Sequence, residues 1–255
     1  MPRIIAVANQ KGGVGKTAMV LNLGTALAER GKRVLMLDLD PQAALTASVG
    51  LDPYHLELSS SNLLLDEDLA FRRIVRPLGQ GLWLAPAAVE LAAAEFHLAR
   101  RDHRARRLQR AIEADKPRVD FILIDTPPSL GLLTINALAA AEELLIPVEC
   151  QYLSLRGVRA VLETTRLVHE RLGAKLRLLG LVATMHRPES AYSQQVVDEL
   201  RSVFGARVLD SVIEFDEAVG IAAAKRTSVL DFQPETPAAV SYRLLADEVI
   251  HKGEG

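Results

Sequence analysis

A single cysteine, Cys150, occurs in the 255 residues. That excludes an internal disulfide framework and any metal site built from several cysteines of one chain. Aromatic residues make up only 4% of the sequence, against 49% hydrophobic residues overall, so the core is aliphatic. Such a composition suits a Val/Ile/Leu-rich parallel sheet covered by helices. Neither sign of charge dominates: the formal net charge is −2, which supplies no global field toward nucleic acid. Any contact with DNA must therefore come from a local patch. No apolar run approaches the ~20 residues that a membrane span needs. A signal peptide is also missing, because Pro2-Arg3 leads straight into a strand-like run, and the expectation is a cytoplasmic protein. Internal repeats, low-complexity segments and linkers are absent, so residues 1–255 are expected to form one α/β domain.

What is present begins at residue 4. The apolar run Ile4-Ile5-Ala6-Val7-Ala8 is followed by Lys11-Gly12-Gly13-Val14-Gly15-Lys16-Thr17 and then by a helical pattern. Strand, glycine-rich loop and helix together form the setting in which a loop cradles phosphate. Glycines let backbone N–H groups converge on phosphate oxygens, and the helix N-terminus adds partial positive charge. Lys16 is placed to neutralise β- and γ-phosphate charge, and the Thr17 hydroxyl to hold Mg²⁺. The match to G-x-x-x-x-G-K-[ST] is incomplete. Gln10 stands where the first glycine belongs, and an extra lysine, Lys11, stands at the loop entrance.

Further along, strand-length apolar runs alternate with helical patterns. Strands are expected at residues 33–38, 81–85, 119–125, 143–147, 176–184 and 207–213. Helices are expected at 16–30, 87–114, 130–141, 154–172, 191–204 and 237–251. Residues 41–49 read as a strand-to-helix step, Ser59-Ser60-Ser61-Asn62 as the cap of a short helix, and Pro77 to Gly81 as a turn. The alternation implies a doubly wound, mostly parallel sheet with ligands at the carboxyl ends of its strands. Asp38, Asp40 and Asp125 all fall at such ends. Asp125 has the position of a Walker B aspartate, bound to Mg²⁺ directly or through water. Of Asp38 and Asp40, one could serve the metal and the other could orient or deprotonate an attacking water. The expected 87–114 helix carries Arg100, Arg104 and Arg107 on one face, either as a solvated surface or as an anion-binding one.

Taken together, KGGVGKT with its extra lysine, D-L-D-P-Q at 38–42 and I-D-T-P-P-S at 124–129 closely resemble the ParA/Soj partitioning ATPases, of the deviant-Walker group that includes MinD. G-L-V-A-T-M at 180–185 and E-L-R-S-V-F-G at 199–205 extend the resemblance nearly end to end. It implies a slow, Mg²⁺-dependent ATPase that forms an ATP-sandwich homodimer, rides nonspecifically on nucleoid DNA, and is released when a ParB-like centromere-binding partner stimulates hydrolysis. In that scheme Lys11 reaches the partner's phosphates and joins Lys16 in catalysis. Asp40 positions the hydrolytic water, and Thr17, Asp40 and Asp125 form the metal set. Residues 11–18 (Lys11, Gly12, Gly13, Val14, Gly15, Lys16, Thr17, Ala18), with Met185 and Asp216, contact the nucleotide. The motif begins near residue 11, so a short form without an added N-terminal DNA-binding domain is expected.

One stretch departs from the family. Where relatives run P-R-N-V-R-L-S-E-A-P-S, with DNA-contacting arginines, this chain has Glu214-Phe215-Asp216-Glu217-Ala218-Val219-Gly220. Acidic residues repel phosphate. Lys225 and Arg226, or Arg100, Arg104 and Arg107, would then have to supply the DNA surface. The alternatives are a ParA-like positioning ATPase for another cargo with weak or no DNA binding, or a MinD-like membrane switch. The latter wants a basic amphipathic C-terminal helix, whereas residues 247–255 are of mixed charge.

Overall fold

The computed structural model describes residues 2–151 and 154–253, with the side chains of 154–156 left aside. Eight strands form one sheet in the order β3-β4-β2-β5-β1-β6-β7-β8. They are β1 (Arg3–Val7), β2 (Val34–Asp38), β3 (Arg76–Gly79), β4 (Leu82–Ala85), β5 (Phe121–Asp125), β6 (Glu143–Glu149), β7 (Arg177–His186) and β8 (Val208–Glu214). Every pairing is parallel except β3 with β4, a hairpin whose turn residues Gln80 and Gly81 both have positive φ.

The helices among the described residues alternate with these strands. The first half carries α1 (Lys16–Glu29), α2 (Ala44–Ser48), α3 (Ser60–Leu65), α4 (Leu91–Leu98), α5 (Arg107–Asp115) and α6 (Leu132–Ala140). The second half carries α7 (Ser154–Leu172), α8 (Ala191–Phe204), α9 (Glu217–Ala224), α10 (Val229–Phe232) and α11 (Pro237–His251).

The central strands are continuous apolar runs because both faces of the sheet are covered. Successive side chains point to opposite faces. Ile4, Ala6, Leu35, Leu37, Ile122 and Ile124 therefore join the core beneath α4–α7. Ile5, Val7, Val34, Met36 and Leu123 join the core beneath α1 and α11. Helix α1 sits close to the sheet because Gly24 faces it: a Cβ there would lie 3.0 Å from Met36 Sδ. That approach fixes where the helix N-terminus meets the end of β1.

Two expectations about elements fail, the first being the turn at Pro77 to Gly81, since Arg76–Gly79 is strand β3. The continuous 87–114 helix is broken, since α4 ends at Leu98 and α5 starts at Arg107 after a 3₁₀ turn at Arg104–Arg106. His103 adopts a left-handed conformation (φ 55°), and the buried Asn136 of α6 holds the break from both sides. Its Nδ2 donates to the Arg104 carbonyl (2.7 Å), and its Oδ1 accepts the Leu108 N–H (3.2 Å). The acidic stretch at 214–218 runs from the end of β8 into the start of α9. Asp216 accepts the Ala218 N–H at 2.8 Å and caps α9. Ser59 and Asn62 do form a reciprocal cap on α3, as the sequence suggests.

Candidate functional site

The phosphate loop leaves the carboxyl end of β1 and enters α1 through Gly15, whose φ of 86° belongs to the left-handed region that glycine tolerates. No side chain among the described residues caps the N-terminus of α1, and its first turn holds no acidic residue. Its free N–H groups and partial positive charge therefore face the cleft, as an anion would require. The loop is braced from β7, where Thr184 Oγ1 donates to the Val14 carbonyl at 3.0 Å.

Lys16 is only 6% exposed. Its Nζ donates to the Lys11 carbonyl at 3.3 Å, a long bond for an ammonium with three donors. Burial lowers its pKa, while the charges of Asp125 and Asp40 work in the other direction. A phosphate would supply the acceptors and the negative charge that this buried cation is short of.

Two strand-end carboxylates lie side by side, because Asp38 of β2 and Asp125 of β5 are register partners. They do different jobs. Asp38 is consumed by the fold: its Oδ1 accepts the Asp40 N–H (3.0 Å), and its Oδ2 accepts both the Thr46 N–H (2.9 Å) and the Thr46 hydroxyl (2.7 Å). Thr46 Oγ1 accepts the Ala87 N–H in turn. Burial nevertheless pushes the Asp38 carboxyl up to about 6, against these hydrogen bonds. Asp38 thus shapes the turn that presents Asp40 and is itself a positioning group.

Asp125 is fully buried, with its Oδ2 accepting the Thr17 hydroxyl at 2.8 Å. Its Oδ1 has no hydrogen-bond partner among the described residues. Burial first, and then the negative charge of Asp38, holds its pKa well above the usual carboxylate range. A buried oxygen without a donor beside a hydroxyl fits a hard divalent cation or its bound water. The described residues contain no group of three His, Cys, Asp or Glu side chains able to hold a metal by themselves. Mg²⁺ is commonly held through one or two carboxylates together with substrate phosphates, a donor set to which Asp125 and Thr17 could contribute.

A cleft of about 360 Å³ opens beside the loop. Gly12, Gly13, Gly15, Lys16, Thr17 and Ala18 line its phosphate end, with Asp40 and Pro128 at the mouth. Leu21, Asn22, Met185, Val219, Gly220 and Ala223 line the remainder, an apolar slot of the kind that takes a flat ring. Met185 sits at φ 55° at the end of β7, with its Cε 3.9 Å from where a Gly15 Cβ would be. Asp216 is not among the lining residues, and its Oδ1 is engaged in the helix cap.

Lys11 is held within its own protomer. Its Nζ lies 2.6 Å from Glu149 Oε2 at the end of β6, and its N–H donates to Asn9 Oδ1 at 3.0 Å. Sequence reasoning passed over Glu149, Asn9 and Thr184. Asn9 carried a local signal, as the first polar residue after the β1 run, and Thr184 lies within the G-L-V-A-T-M stretch at 180–185.

The arginine face does not exist as read. Arg107 is 4% exposed: its Nε donates to the Leu64 carbonyl (3.0 Å), and its guanidinium pairs with Glu67. It is a structural residue of the α3–α5 contact and leaves the set of candidate DNA contacts. Arg100 and Arg104 are exposed, the former stacked 4.6 Å over the Phe96 ring and the latter bonded to the Ala99 carbonyl. Lys225 and Arg226 are exposed just past the end of α9.

Comparison with known proteins agrees with this geometry. A family described as "AAA domain" matches residues 2–178. The chain is 39% identical over 253 residues to the sporulation initiation inhibitor protein Soj of Bacillus subtilis, covering 99% of this chain and all of that one. It is 36% identical over 253 residues to the chromosome partitioning protein ParA of Caulobacter vibrioides, covering 98% and 94%. Among solved structures it is similar to one described as cobyrinic acid a,c-diamide synthase of Mycobacterium smegmatis with bound ATP analogue and magnesium. That similarity has a TM-score of 0.87 at 35% identity and covers 100% of this chain and 97% of the other. A glycine-rich loop with an added lysine, a buried aspartate at the end of β5 and end-to-end similarity to Soj and ParA lead to one conclusion: the chain belongs to the ParA/Soj family of partitioning ATPases.

Proposed function

We propose that this protein is an ATP-driven switch for DNA segregation, dimeric with ATP and released from its surface by hydrolysis. The observation that carries the reading is the buried, half-satisfied Asp125 beside Thr17 and Lys16, an arrangement that a bound Mg²⁺–ATP would complete. Lys16 and the loop amides would bind the β- and γ-phosphates. Thr17 and Asp125 would hold Mg²⁺, which spreads the developing phosphate charge when bound. Asp40, 8% exposed at the cleft mouth, would orient the attacking water and accept its proton. The slot between Met185 and α9 would take the base. Lys11 would act across a homodimer on the partner's phosphates, making dimerisation depend on the nucleotide. A ParB-like partner would set the timing of hydrolysis.

No helix among the described residues is long and apolar enough to cross a membrane. The surface on which the dimer rides would be DNA. Exposed cations able to meet its phosphates include Arg100 and Arg104, between α4 and α5, and Lys225 and Arg226, just past the end of α9. The test uses the Asp40→Ala protein, expected to accumulate as an ATP-bound dimer. With ATP and Mg²⁺ it should bind duplex DNA with a steep inverse salt dependence, and with ADP it should not. Reversing Arg100 with Arg104, or Lys225 with Arg226, to Glu identifies the contacting pair. A dimer that ignores DNA at low salt would reject the DNA surface and favour another cargo.

A further inference from the structure

We propose that Glu149 is a latch on Lys11: it holds the loop lysine inside its own protomer before nucleotide arrives and so sets how much ATP is needed for dimerisation. The inference rests on the reading above that Lys11 works across a dimer, and it adds what restrains that lysine beforehand.

Three contacts fix Lys11, and each involves a different part of the residue. The side-chain Nζ meets Glu149 Oε2 at 2.6 Å. The backbone N–H donates to Asn9 Oδ1 at 3.0 Å, and the backbone carbonyl accepts from Lys16 Nζ at 3.3 Å. Asn9 is itself immobilised, because it is buried and its Nδ2 donates to the Pro147 carbonyl at 2.7 Å. Pro147 and Glu149 belong to β6, whose strand also pairs with β1. The acceptor of the lysine and the support of its backbone therefore sit on one rigid strand. Gly157 of α7 is what lets Asn9 lie there, since a Cβ at that position would come within 2.5 Å of its Oδ1.

The strength of the hold follows from exposure. Glu149 is 8% exposed, so removing the lysine would leave a carboxylate mostly shielded from water. The lysine side chain keeps 36% of its surface in solvent. It can leave without crossing the core, and the contact is a restraint that binding energy can overcome. The third contact supplies the coupling. A phosphate on the loop would compete with the Lys11 carbonyl for the Lys16 ammonium. A phosphate that takes the Lys16 ammonium removes one of the three holds, and its negative charge competes with Glu149 for the Lys11 ammonium. Nucleotide binding and release of Lys11 are thereby linked through two lysines of one loop.

In this view Glu149 touches no substrate and acts through Lys11 as a positioning residue. The experiment compares wild type with Glu149→Gln, which keeps size and an acceptor but removes the charge, and with Glu149→Asp, which keeps the charge but shortens its reach. Acylation of Lys11 by a water-soluble amine reagent, followed by mass spectrometry of the nucleotide-free protein, reads the latch directly. Dimerisation against a non-hydrolysable ATP analogue, followed by sedimentation, reads its consequence. Removing a partly exposed pair of this kind should raise the Lys11 acylation rate several-fold and lower the half-dimerising analogue concentration about 5-fold. Glu149→Asp should fall between the two proteins. In a Lys11→Ala background, Glu149→Gln should produce no further change in dimerisation. Unchanged Lys11 acylation in a folded Glu149→Gln protein overturns the latch. Faster acylation with an unmoved dimerisation threshold overturns its role in the switch. A wild-type protein that stays monomeric at saturating analogue rejects the dimer reading itself, and the acylation rate still decides whether the latch exists.

Discussion

The two ends of the parallel strands carry similar residues, yet they treat charge in opposite ways. At the amino ends, charges are matched. Glu143, buried at the start of β6, accepts from Arg3 Nε (2.9 Å) and Nη2 (3.1 Å) and pairs with Arg177 (2.7 Å). Arg3 also donates to the Val249 carbonyl at 2.7 Å, tying β1 to the end of α11. Asp120 is gripped by Arg33 through both its side chain and its backbone N–H, and its carboxyl is held down to about 2 by those bonds. At the carboxyl ends, Asp38 and Asp125 are packed against each other with no ion pair to arginine or lysine among the described residues, and both are pushed up by burial. One end uses its charges for stability. The other end also has an ion pair, Lys11 with Glu149, but its two buried aspartates have no such partner among the described residues. Buried carboxylates without a cation at one end of an otherwise well-matched sheet are the signature expected of a ligand site.

The contrast has a pH signature with opposite signs at the two ends. For Asp38 the folded pKa, about 6, lies above its ordinary 3.8. The folded state then binds more protons than the unfolded state across that window, so its contribution is fully present below about pH 4 and is lost as pH rises through 6. The direction of the change, a loss of stability on raising the pH through this window, is what this group contributes. Thermal melting of the nucleotide-free protein should therefore show lower stability at pH 7.5 than at pH 5, and Mg²⁺–ATP should offset the fall. A stability that rises steadily over that range would break the comparison. For Asp120 the folded pKa lies below the ordinary value. Its contribution is present above about pH 4 and lost as pH falls through 2.

Substitution at the matched end sharpens the point. Glu143→Ala leaves two arginines facing a buried gap and should destabilise the protein by about 2 kcal/mol in urea unfolding. ATPase rate per folded molecule should stay within about twofold of wild type, because the residue is at the far end from the cleft. The smallest effect belongs to Asp120→Asn. Its side chain is 38% exposed, so solvent screening leaves a loss of a few tenths of a kcal/mol. Urea unfolding should show that loss at pH 7 and a shrinking difference from wild type as the pH is lowered toward 2.

What the sequence made legible was the part of the site encoded locally. Strand, loop and helix from Ile4 to Leu27 are contiguous, and the pattern of small residues and lysines there has few other physical uses. Asp125 was readable because it ends an apolar run. Contacts set by distant partners were hidden. Glu149 meets Lys11 across 138 residues, and nothing in either local stretch announces it. Arg107 looked like part of an exposed stripe because Leu64 and Glu67, which bury it, lie some forty residues upstream. The broken 87–114 helix was unreadable for the same reason, since the side chain that holds the break is Asn136 of α6. Helix α9 escaped because an acidic run reads as loop until Asp216 is seen to be its cap.

The most direct test of the unmatched end is Asp125→Asn, measured as melting temperature with and without Mg²⁺–ATP. The amide keeps the shape and removes a buried charge, so the nucleotide-free protein should melt at the same temperature as wild type or a few degrees higher. The stabilisation by Mg²⁺–ATP should be largely lost. A variant that melts well below wild type yet keeps the full nucleotide-induced shift would contradict the account, because Asp125 would then be holding the fold together rather than waiting for a ligand.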